Sequence, residues 1–266
     1  MDDGFIDIDW RSRPLRLELQ WVGAPSSDLP PLVFLHEGLG SVVMWKDFPQ
    51  RLCQAAGLRG LVFSRHGYGR STPRPSDERW PVSFMHEQAF EVLPVLFARL
   101  GIERPWLFGH SDGGSIALLH ASRFAVSGVV SVAAHVFTEE MGLRSIAAAR
   151  TAYETTDFRA KLARYHADVD SAFYGWNDVW LDPAFRAWNI EAALPAIEAP
   201  VLVVQGEDDE YGTMKQVQAI ARGVKRATVL ALPACGHSPH RDQPERLIAG
   251  TCDFIASAGT NKNLNA

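Results

Sequence analysis

The sequence predicts one large α/β domain, built on a mostly parallel β-sheet with helices on both faces and a helical insertion. Short apolar runs alternate with stretches of helical spacing along most of the 266 residues, a pattern typical of a buried parallel sheet. A Gly-x-Ser-x-Gly motif stands where one apolar run meets a helical pattern. Residues 137–199 interrupt the alternation, because they contain no convincing strand.

The composition argues against several classes of function. The chain is 47% hydrophobic and 21% charged, which suits a folded domain with a sizeable core. A net charge of -5 without a block of Lys or Arg predicts no nucleic-acid partner. No stretch resembles a secretory signal or approaches the roughly 18 apolar residues of a membrane span. We therefore expect a cytoplasmic protein with no membrane partner; the sequence does not indicate its oligomeric state.

The cysteines and histidines suggest no metal site. Cys53, Cys235 and Cys252 form no Cys-x-x-Cys pair, and an odd count disfavours a disulfide framework. We interpret them as buried apolar thiols. Because the histidines lack metal-like spacing as well, we expect neither a metal nor another cofactor.

The elements follow from hydrophobic periodicity. Residues 5–10 and 15–21 alternate between polar and apolar around a polar break, which predicts an antiparallel hairpin at a sheet edge. Continuous apolar runs predict the other strands, and spacings of three and four predict the helices. We place strands at 32–35, 60–64, 106–108, 126–136, 201–205 and 228–232, and helices at 45–56, 85–100, from 116, 213–222 and 244–256.

The insertion is too long for a simple connector between two strands. Residues 139–150 and 158–166 have helical spacing, and an aromatic-rich stretch follows them. We therefore predict a helical cap that covers the ends of the strands. The small, polar end of the chain is typical of a flexible terminus. The predicted units are a core of residues 1–136 and 200–258, a cap of residues 137–199 and a flexible tail of residues 259–266.

The motif Gly109-His110-Ser111-Asp112-Gly113 is the first candidate for chemistry. A serine on a tight turn from strand to helix adopts a strained backbone, which the small residues Gly109 and Gly113 allow. The strain holds the hydroxyl exposed above the sheet. Taken alone, the motif also fits a glycine-rich turn with a helix-capping serine.

A serine nucleophile needs a base within hydrogen-bond reach and a carboxylate that orients the base. An acidic turn, residues 207–210, follows the predicted strand at 201–205, and a loop with His237 and His240 follows the next strand. The chain order Ser, Asp, His is that of one of three unrelated lineages of catalytic triad.

With these pieces in place, the sequence resembles the α/β-hydrolase family over nearly its whole length. The resemblance rests on the loop 36–40, the elbow 109–113, the acidic turn 206–209 and Cys235-Gly236-His237. It implies the α/β-hydrolase fold, with the insertion as its cap. Within the family, the sequence is similar to compact bacterial ester and carbon–carbon bond hydrolases. Its Ser-Asp-Gly-Gly elbow is also similar to that of enzymes of the valacyclovir-hydrolase type.

The resemblance also implies catalytic roles. Ser111 would be the nucleophile, His237 the general base and Asp209 the carboxylate that orients it. Asp209 takes the family's usual position in its turn, which favours it over Asp208. His240 lacks the preceding glycine that marks the family's base.

The resemblance further implies an oxyanion hole made by the backbone amides of Gly38 and Asp112. Leu39 replaces Gly38 if the loop is shifted by one residue. Glu37 stands where the family usually has glycine. Either its side chain points away and makes a loop hydrogen bond, the interpretation we favour for a strong charge, or it reaches the pocket.

Four side chains are candidates for substrate binding: Glu37, His110, Trp176 and Trp180. Carboxylates of Glu37 and Asp112 near the serine would favour a substrate with a cationic amine. Alternatively, Asp112 only stabilises the start of a helix. The aromatic residues of the insertion either pack it onto the core or line an apolar pocket.

These observations predict a cofactor-independent serine hydrolase, a carboxylesterase that acts on a small-molecule ester or thioester. Two alternatives remain. The same site would serve a carbon–carbon bond hydrolase of a vinylogous diketone of the meta-cleavage type. The same fold would also serve a non-catalytic ligand receptor.

Overall fold

Eight strands form one sheet in the computed structural model, which describes residues 4–23 and 29–260. In chain order they are β1 (Gly4–Trp10), β2 (Arg13–Gly23), β3 (Leu32–Leu35), β4 (Arg59–Phe63), β5 (Trp106–His110), β6 (Gly128–Val132), β7 (Val201–Gly206) and β8 (Ala227–Leu232).

The strands lie in the order β1-β2-β4-β3-β5-β6-β7-β8. The β1–β2 hairpin sits at one edge, with Ile8 opposite Leu15, and β2 runs antiparallel to β4. From β4 to β8 all neighbours are parallel. The predicted fold class and the edge hairpin are therefore confirmed. Because parallel strands end at the same edge, the loops after β3, β5, β7 and β8 meet there.

Helices flank the sheet on both faces. In chain order, the α-helices of the described residues are α1 (Phe48–Ala56), α2 (Phe84–Glu87), α3 (Leu93–Leu100), α4 (Asp112–Ala121), α5 (Glu140–Thr155), α6 (Phe158–Leu162), α7 (Val169–Trp180), α8 (Met214–Gly223), α9 (Pro239–Asp242) and α10 (Pro244–Thr260). A π-helical turn, Gln88–Val92, joins α2 to α3, so the helix predicted at 85–100 contains a bulge.

The core lies in two layers, one on each face of the sheet. Val33 and Leu35 of β3 pack into the layer beneath α3, α4 and α8. Leu32 and Phe34 pack into the opposite layer, with α1 and α10. A strand that is buried on both faces needs apolar residues at every position, which explains its continuous apolar run.

Between β6 and β7 the described chain forms helices, short helical turns and a single bridge, Phe137 to Asn189. The aromatic-rich stretch belongs to α7, a helix that we did not predict. Asp168 caps α7, because its carboxylate accepts a hydrogen bond from the Ser171 amide. This capping residue and the helical spacing of the buried aromatic residues were the available signals. In contrast, α6 ends at Leu162, before the predicted end at residue 166.

The structure also bears on the end of the chain, the cysteines and the hydrophobicity of the helices. Helix α10 continues to Thr260, so residues 259 and 260 of the predicted tail are helical, and residues 261–266 lie outside the described residues. Cys53 and Cys235 are buried, but Cys252 is partly exposed, so the prediction of three buried thiols is wrong for Cys252. Within the described ranges, no helix has both the length and the hydrophobicity to cross a membrane.

The buried His66 makes stability sensitive to pH. Its ring contacts Trp10 and Trp80 at centroid distances of 5.8 and 5.1 Å, and burial lowers its pKa to about 4. Between pH 6.5 and 4 the unfolded chain therefore binds more protons at this residue than the folded chain. The resulting stability is fully present above pH 6.5 and is lost as the pH falls toward 4.

A His66→Phe variant tests this effect, because it retains the aromatic contacts and removes the titrating group. We expect the free energy of unfolding to fall less steeply with acidification in the variant, by about 1 kcal/mol per pH unit between pH 6 and 4. Urea unfolding at pH 7, 6, 5 and 4 measures the difference. Parallel pH curves for the two proteins would contradict the expectation.

Candidate active site

Ser111 occupies the turn between β5 and α4 in a strained conformation. Its φ is 54° and its ψ is -119°, a region that non-glycine residues rarely adopt. A Cβ atom at Gly109 would lie 2.2 Å from the carbonyl oxygen of Gly113, and one at Gly113 would lie 2.0 Å from that of Leu35. The turn therefore needs glycine at both positions. The Ser111 hydroxyl makes no helix-capping hydrogen bond, which removes the capping interpretation.

His237 lies in the loop after β8, beside Ser111. Its Nε2 is 3.0 Å from Ser111 Oγ, and its Nδ1 is 2.9 Å from each carboxylate oxygen of Asp209. The Nδ1–H group donates to Asp209, so Nε2 is left to accept the proton of the serine hydroxyl. This arrangement can activate the hydroxyl as a nucleophile.

The loop after β7 fixes Asp209 and keeps it ionised. Oδ1 accepts from the Tyr211 amide at 2.8 Å, and Oδ2 accepts from Gln205 Nε2 at 2.7 Å. Burial disfavours the charged carboxylate, but the hydrogen bonds from His237 and the backbone outweigh burial and hold the pKa of Asp209 below its usual value. The side chain can therefore orient His237 and stabilise its cation.

The two rival residues lie elsewhere. Asp208 is exposed to solvent. His240 packs against Trp45 with ring centroids 5.0 Å apart, and burial lowers its pKa to about 3. A neutral, enclosed imidazole of this kind fills space in the core beneath the site.

Two backbone amides predicted for the oxyanion hole also lie at this edge. Asp112 is the first residue of α4, so its N–H has no acceptor within the helix. Gly38 and Leu39, in the loop after β3, line the same cavity as Ser111. A Cβ atom at Gly38 would lie 2.1 Å from Trp176 Nε1, so this close approach of α7 requires glycine.

The cavity above Ser111 has a volume of about 210 Å³. It brings together all the predicted substrate-binding residues, including Trp176 and Trp180 of α7. The sequence analysis missed several other lining residues. One of them, His135, follows β6 at the carboxyl edge of the sheet, and this position was the available signal. The missed residues are His135, Glu139, Gly142, Ile146, Glu210, Tyr211 and Ser238.

Glu37 points inward, so the orientation that we favoured from the sequence is wrong. Its Oε2 lies 3.4 Å from His110 Nδ1, and its Oε1 lies 3.7 Å from a guanidinium nitrogen of Arg241. Burial disfavours the charge, but His110 holds the pKa of Glu37 well below its usual value. His110 Nε2 also donates to the His237 carbonyl at 2.7 Å and so supports the loop that carries the base.

The Asp112 carboxylate is already engaged. Its Oδ1 accepts from Trp180 Nε1 at 3.1 Å, and its Oδ2 lies 3.8 Å from Nη2 of the buried Arg65. Burial raises its pKa to about 6 despite the neighbouring guanidinium. Because the Asp112 side chain is only 1% exposed, whereas that of Glu37 is 18% exposed and lines the cavity, Glu37 is the better candidate to face a cationic group on a substrate.

A larger groove, of about 530 Å³, lies at the opposite edge of the sheet. Arg104, Arg123 and Arg226 line it, together with Ser122 and Ser127. No histidine stands among the described residues that line it, so its serines lack a base. The smaller cavity is therefore the better candidate for an active site.

A strained serine between a strand and a helix of a mostly parallel sheet, with a histidine and an aspartate from later loops, is the architecture of α/β hydrolases. The model of the "Alpha/beta hydrolase family" matches residues 32–250. The chain belongs to this family.

Curated relatives are hydrolases of several kinds. A protein of Variovorax paradoxus that bears the name carbamate hydrolase RutD is 28% identical over 84% of this chain and 91% of its own length. The 2-hydroxymuconate semialdehyde hydrolase of a Pseudomonas species is 24% identical over 86% of this chain and 87% of its own length. Among solved structures, the proline iminopeptidase of Mycobacterium smegmatis is 18% identical, with a TM-score of 0.74 over 97% of this chain and 100% of its own. That structural likeness shows the fold alone.

Proposed function

We propose that the protein is a serine hydrolase, a carboxylesterase that cleaves a small carboxylic ester or thioester through an acyl-enzyme. The observation that carries the proposal is the chain of contacts from Ser111 Oγ to His237 Nε2, 3.0 Å, and from His237 Nδ1 to Asp209, 2.9 Å. Ser111 lines a cavity, through which a substrate would reach the hydroxyl.

In the proposed reaction, Ser111 Oγ attacks the acyl carbon while His237 Nε2 takes the hydroxyl proton. The amides of Gly38 and Asp112 stabilise the negative oxygen of the tetrahedral intermediate. The carbon–oxygen or carbon–sulfur bond then breaks, and His237 returns the proton to the leaving group. Water deprotonated by His237 hydrolyses the acyl-enzyme and regenerates the serine.

The size and charge of the cavity support a small substrate that is not anionic. A volume of about 210 Å³ is below the range usual for drug-sized ligands. Glu37, Glu139 and Glu210 line it, and no Lys or Arg stands among its described lining residues. A carboxylate on the acyl group would therefore face three glutamates and no lysine or arginine among these lining residues.

A panel of p-nitrophenyl esters of rising acyl length, with acyl-CoA thioesters beside it, tests the proposal. We expect kcat/KM to be highest for short acyl chains and to fall as the chain outgrows the cavity.

Matched esters with and without an α-amino group test whether Glu37 favours a cation; equal kcat/KM for both would exclude that preference. A folded protein that turns over no ester and resists fluorophosphonate labelling would contradict a serine hydrolase and favour a ligand receptor.

Carbon–carbon bond hydrolysis is the second candidate, because a relative that is 24% identical carries that kind of name. The word muconate in its name denotes a carboxylate, and the described residues that line the cavity include no guanidinium or ammonium group to bind one. Turnover of a vinylogous diketone faster than of any ester would reverse the order of the two proposals.

A further inference from the structure

The two amides of the proposed oxyanion hole belong to separate elements, and both must point at the same oxygen. Asp112 is fixed by the start of α4, whereas Gly38 lies in the irregular loop after β3. The direction of the Gly38 amide therefore depends on how the peptide that joins it to Glu37 is held.

Three donors hold the carbonyl oxygen of this peptide. The Glu37 oxygen accepts from the Gly40 amide at 3.1 Å, from His36 Nδ1 at 2.6 Å and from Arg65 Nη2 at 2.9 Å. In a planar trans peptide, the carbonyl and the following N–H point in opposite directions. The donors draw the Glu37 carbonyl toward themselves and so turn the Gly38 amide away from them. Gly38 lines the cavity that contains Ser111.

The state of His36 is fixed by the same contacts. Its Nε2 accepts the backbone N–H of Arg65 at 2.9 Å, so the proton of the neutral ring is on Nδ1, where it faces the Glu37 oxygen. Burial and the nearby guanidinium of Arg65 lower the pKa of His36 well below its usual value. The imidazole therefore acts as a neutral donor to this peptide.

The side chain of Arg65 reaches both parts of the hole. It is only 2% exposed, its guanidinium lies 4.7 Å from the centre of the Tyr68 ring, and the Nη2 atom that donates to the Glu37 carbonyl lies 3.8 Å from Asp112 Oδ2. Its Nε and Asp112 Oδ2 have no hydrogen-bond partner among the described residues. The contact with Asp112 is therefore one of charge, whereas the contact with the Glu37 peptide is a directed hydrogen bond.

We propose that Arg65 is a positioning residue for the oxyanion hole. Its guanidinium binds the Glu37 carbonyl and so directs the Gly38 amide, on the other side of the peptide, at the substrate oxygen. The same guanidinium links this peptide to Asp112. The role rests on the proposed serine-hydrolase function. Arg65 touches no substrate and acts through the Glu37–Gly38 peptide.

Arg65→Lys tests this role, since lysine keeps the charge but lacks the planar guanidinium. With p-nitrophenyl acetate, we expect kcat per active site to fall by about 10- to 100-fold, somewhat less than the loss of a whole oxyanion donor, with KM within about twofold. A trifluoromethyl ketone forms a tetrahedral adduct with the serine and places its oxyanion in the hole. Its affinity should fall by the same factor as kcat, a change that a purely structural role would not produce.

Arg70→Lys is the matched control. Arg70 lies in the same loop, and its Nε donates to the buried Glu18 at 2.6 Å, but it does not contact Glu37 or Asp112. We expect its kcat and its inhibitor affinity to equal those of the wild type. Titration with a fluorophosphonate counts the active serines in every preparation, so misfolded protein does not enter the kcat values.

A second pair of variants serves if Arg65→Lys does not fold. Asp112→Asn and the double variant Arg65→Met/Asp112→Asn both lack the buried carboxylate charge, so their comparison removes the ion pair with Asp112 and retains the contact with the Glu37 peptide as the directed hydrogen bond that differs. We expect the double variant to have at least about 10-fold lower kcat than Asp112→Asn.

Equal kcat and inhibitor affinity in the wild type and Arg65→Lys, or within the second pair, would overturn the role of Arg65 while the wild type remains an active esterase. A wild type that neither hydrolyses esters nor reacts with the fluorophosphonate would overturn the proposed function and, with it, this role.

Discussion

Replacing Ser111 with alanine is expected to lower kcat for ester hydrolysis by about 10⁴-fold or more and to abolish fluorophosphonate labelling. The variant lacks the oxygen that would attack the acyl carbon, while His237, Asp209 and the backbone amides stay in place. KM should change little, because the hydroxyl contributes little to the binding of the ground state. Steady-state kinetics and intact-protein mass spectrometry after labelling measure both effects.

Ser122→Ala is a suitable control for this experiment. Ser122 follows the last residue of α4, and its hydroxyl donates to the Leu119 carbonyl at 2.6 Å, far along the helix from Ser111. This variant should react with the fluorophosphonate and hydrolyse esters as the wild type does. The expected loss is about 10⁴-fold. If the Ser111→Ala protein were labelled, or if its kcat stayed within about 10-fold of the wild-type value, another residue would be the nucleophile.

Replacing Gly113 with alanine is expected to destabilise the fold by about 3 kcal/mol or more. In a helix, alanine is normally favoured over glycine by about 1 kcal/mol, so the propensity alone predicts the opposite sign. The contact decides, because the added Cβ would lie 2.0 Å from the Leu35 carbonyl oxygen and 2.7 Å from that of His36. Both are backbone atoms, and they move only if β3 and α4 separate. Urea unfolding at pH 7 measures the loss.

Gly101→Ala separates this steric effect from backbone strain. Gly101 has a φ of +64°, and no atom lies within 4 Å of the place where its Cβ would stand. The substitution should therefore lower the free energy of unfolding by only about 1–2 kcal/mol, the cost of an alanine in the left-handed conformation. The Gly113→Ala variant should also lose hydrolytic activity, because displacement of α4 moves the Ser111 turn, whereas Gly101→Ala should retain it. Equal stability of the two variants would contradict the steric argument.

The resemblance assigned the catalytic roles, and local sequence marked where the candidates lie. Ser111, Asp209 and His237 each follow a predicted apolar strand. In a parallel sheet the carboxyl ends of the strands share one edge. Residues that are far apart in sequence are therefore predicted to lie close together if each follows a strand. The structure places His237 within hydrogen-bond distance of both Ser111 and Asp209.

Helix α7 shows where local patterns were insufficient. Two of its aromatic residues, Trp176 and Trp180, pack against the core and line the cavity at the same time. A bulky apolar side chain has the same appearance in sequence whether it faces a core or a ligand. Only the tertiary position of this helix beside Ser111 decides which atoms remain accessible.

By itself, the sequence determined the mostly parallel sheet and the strained serine turn, because hydrophobic periodicity and the need for small residues beside a strained turn act over a few neighbours. Only the tertiary structure decided the charges around that turn. Glu37 points inward because His110 and Arg241 surround it, and the Asp112 carboxylate is balanced because Arg65 from another loop lies buried beside it. Electrostatic interactions act through space between segments distant in the chain, so their outcome depends on how the strands are ordered in the sheet.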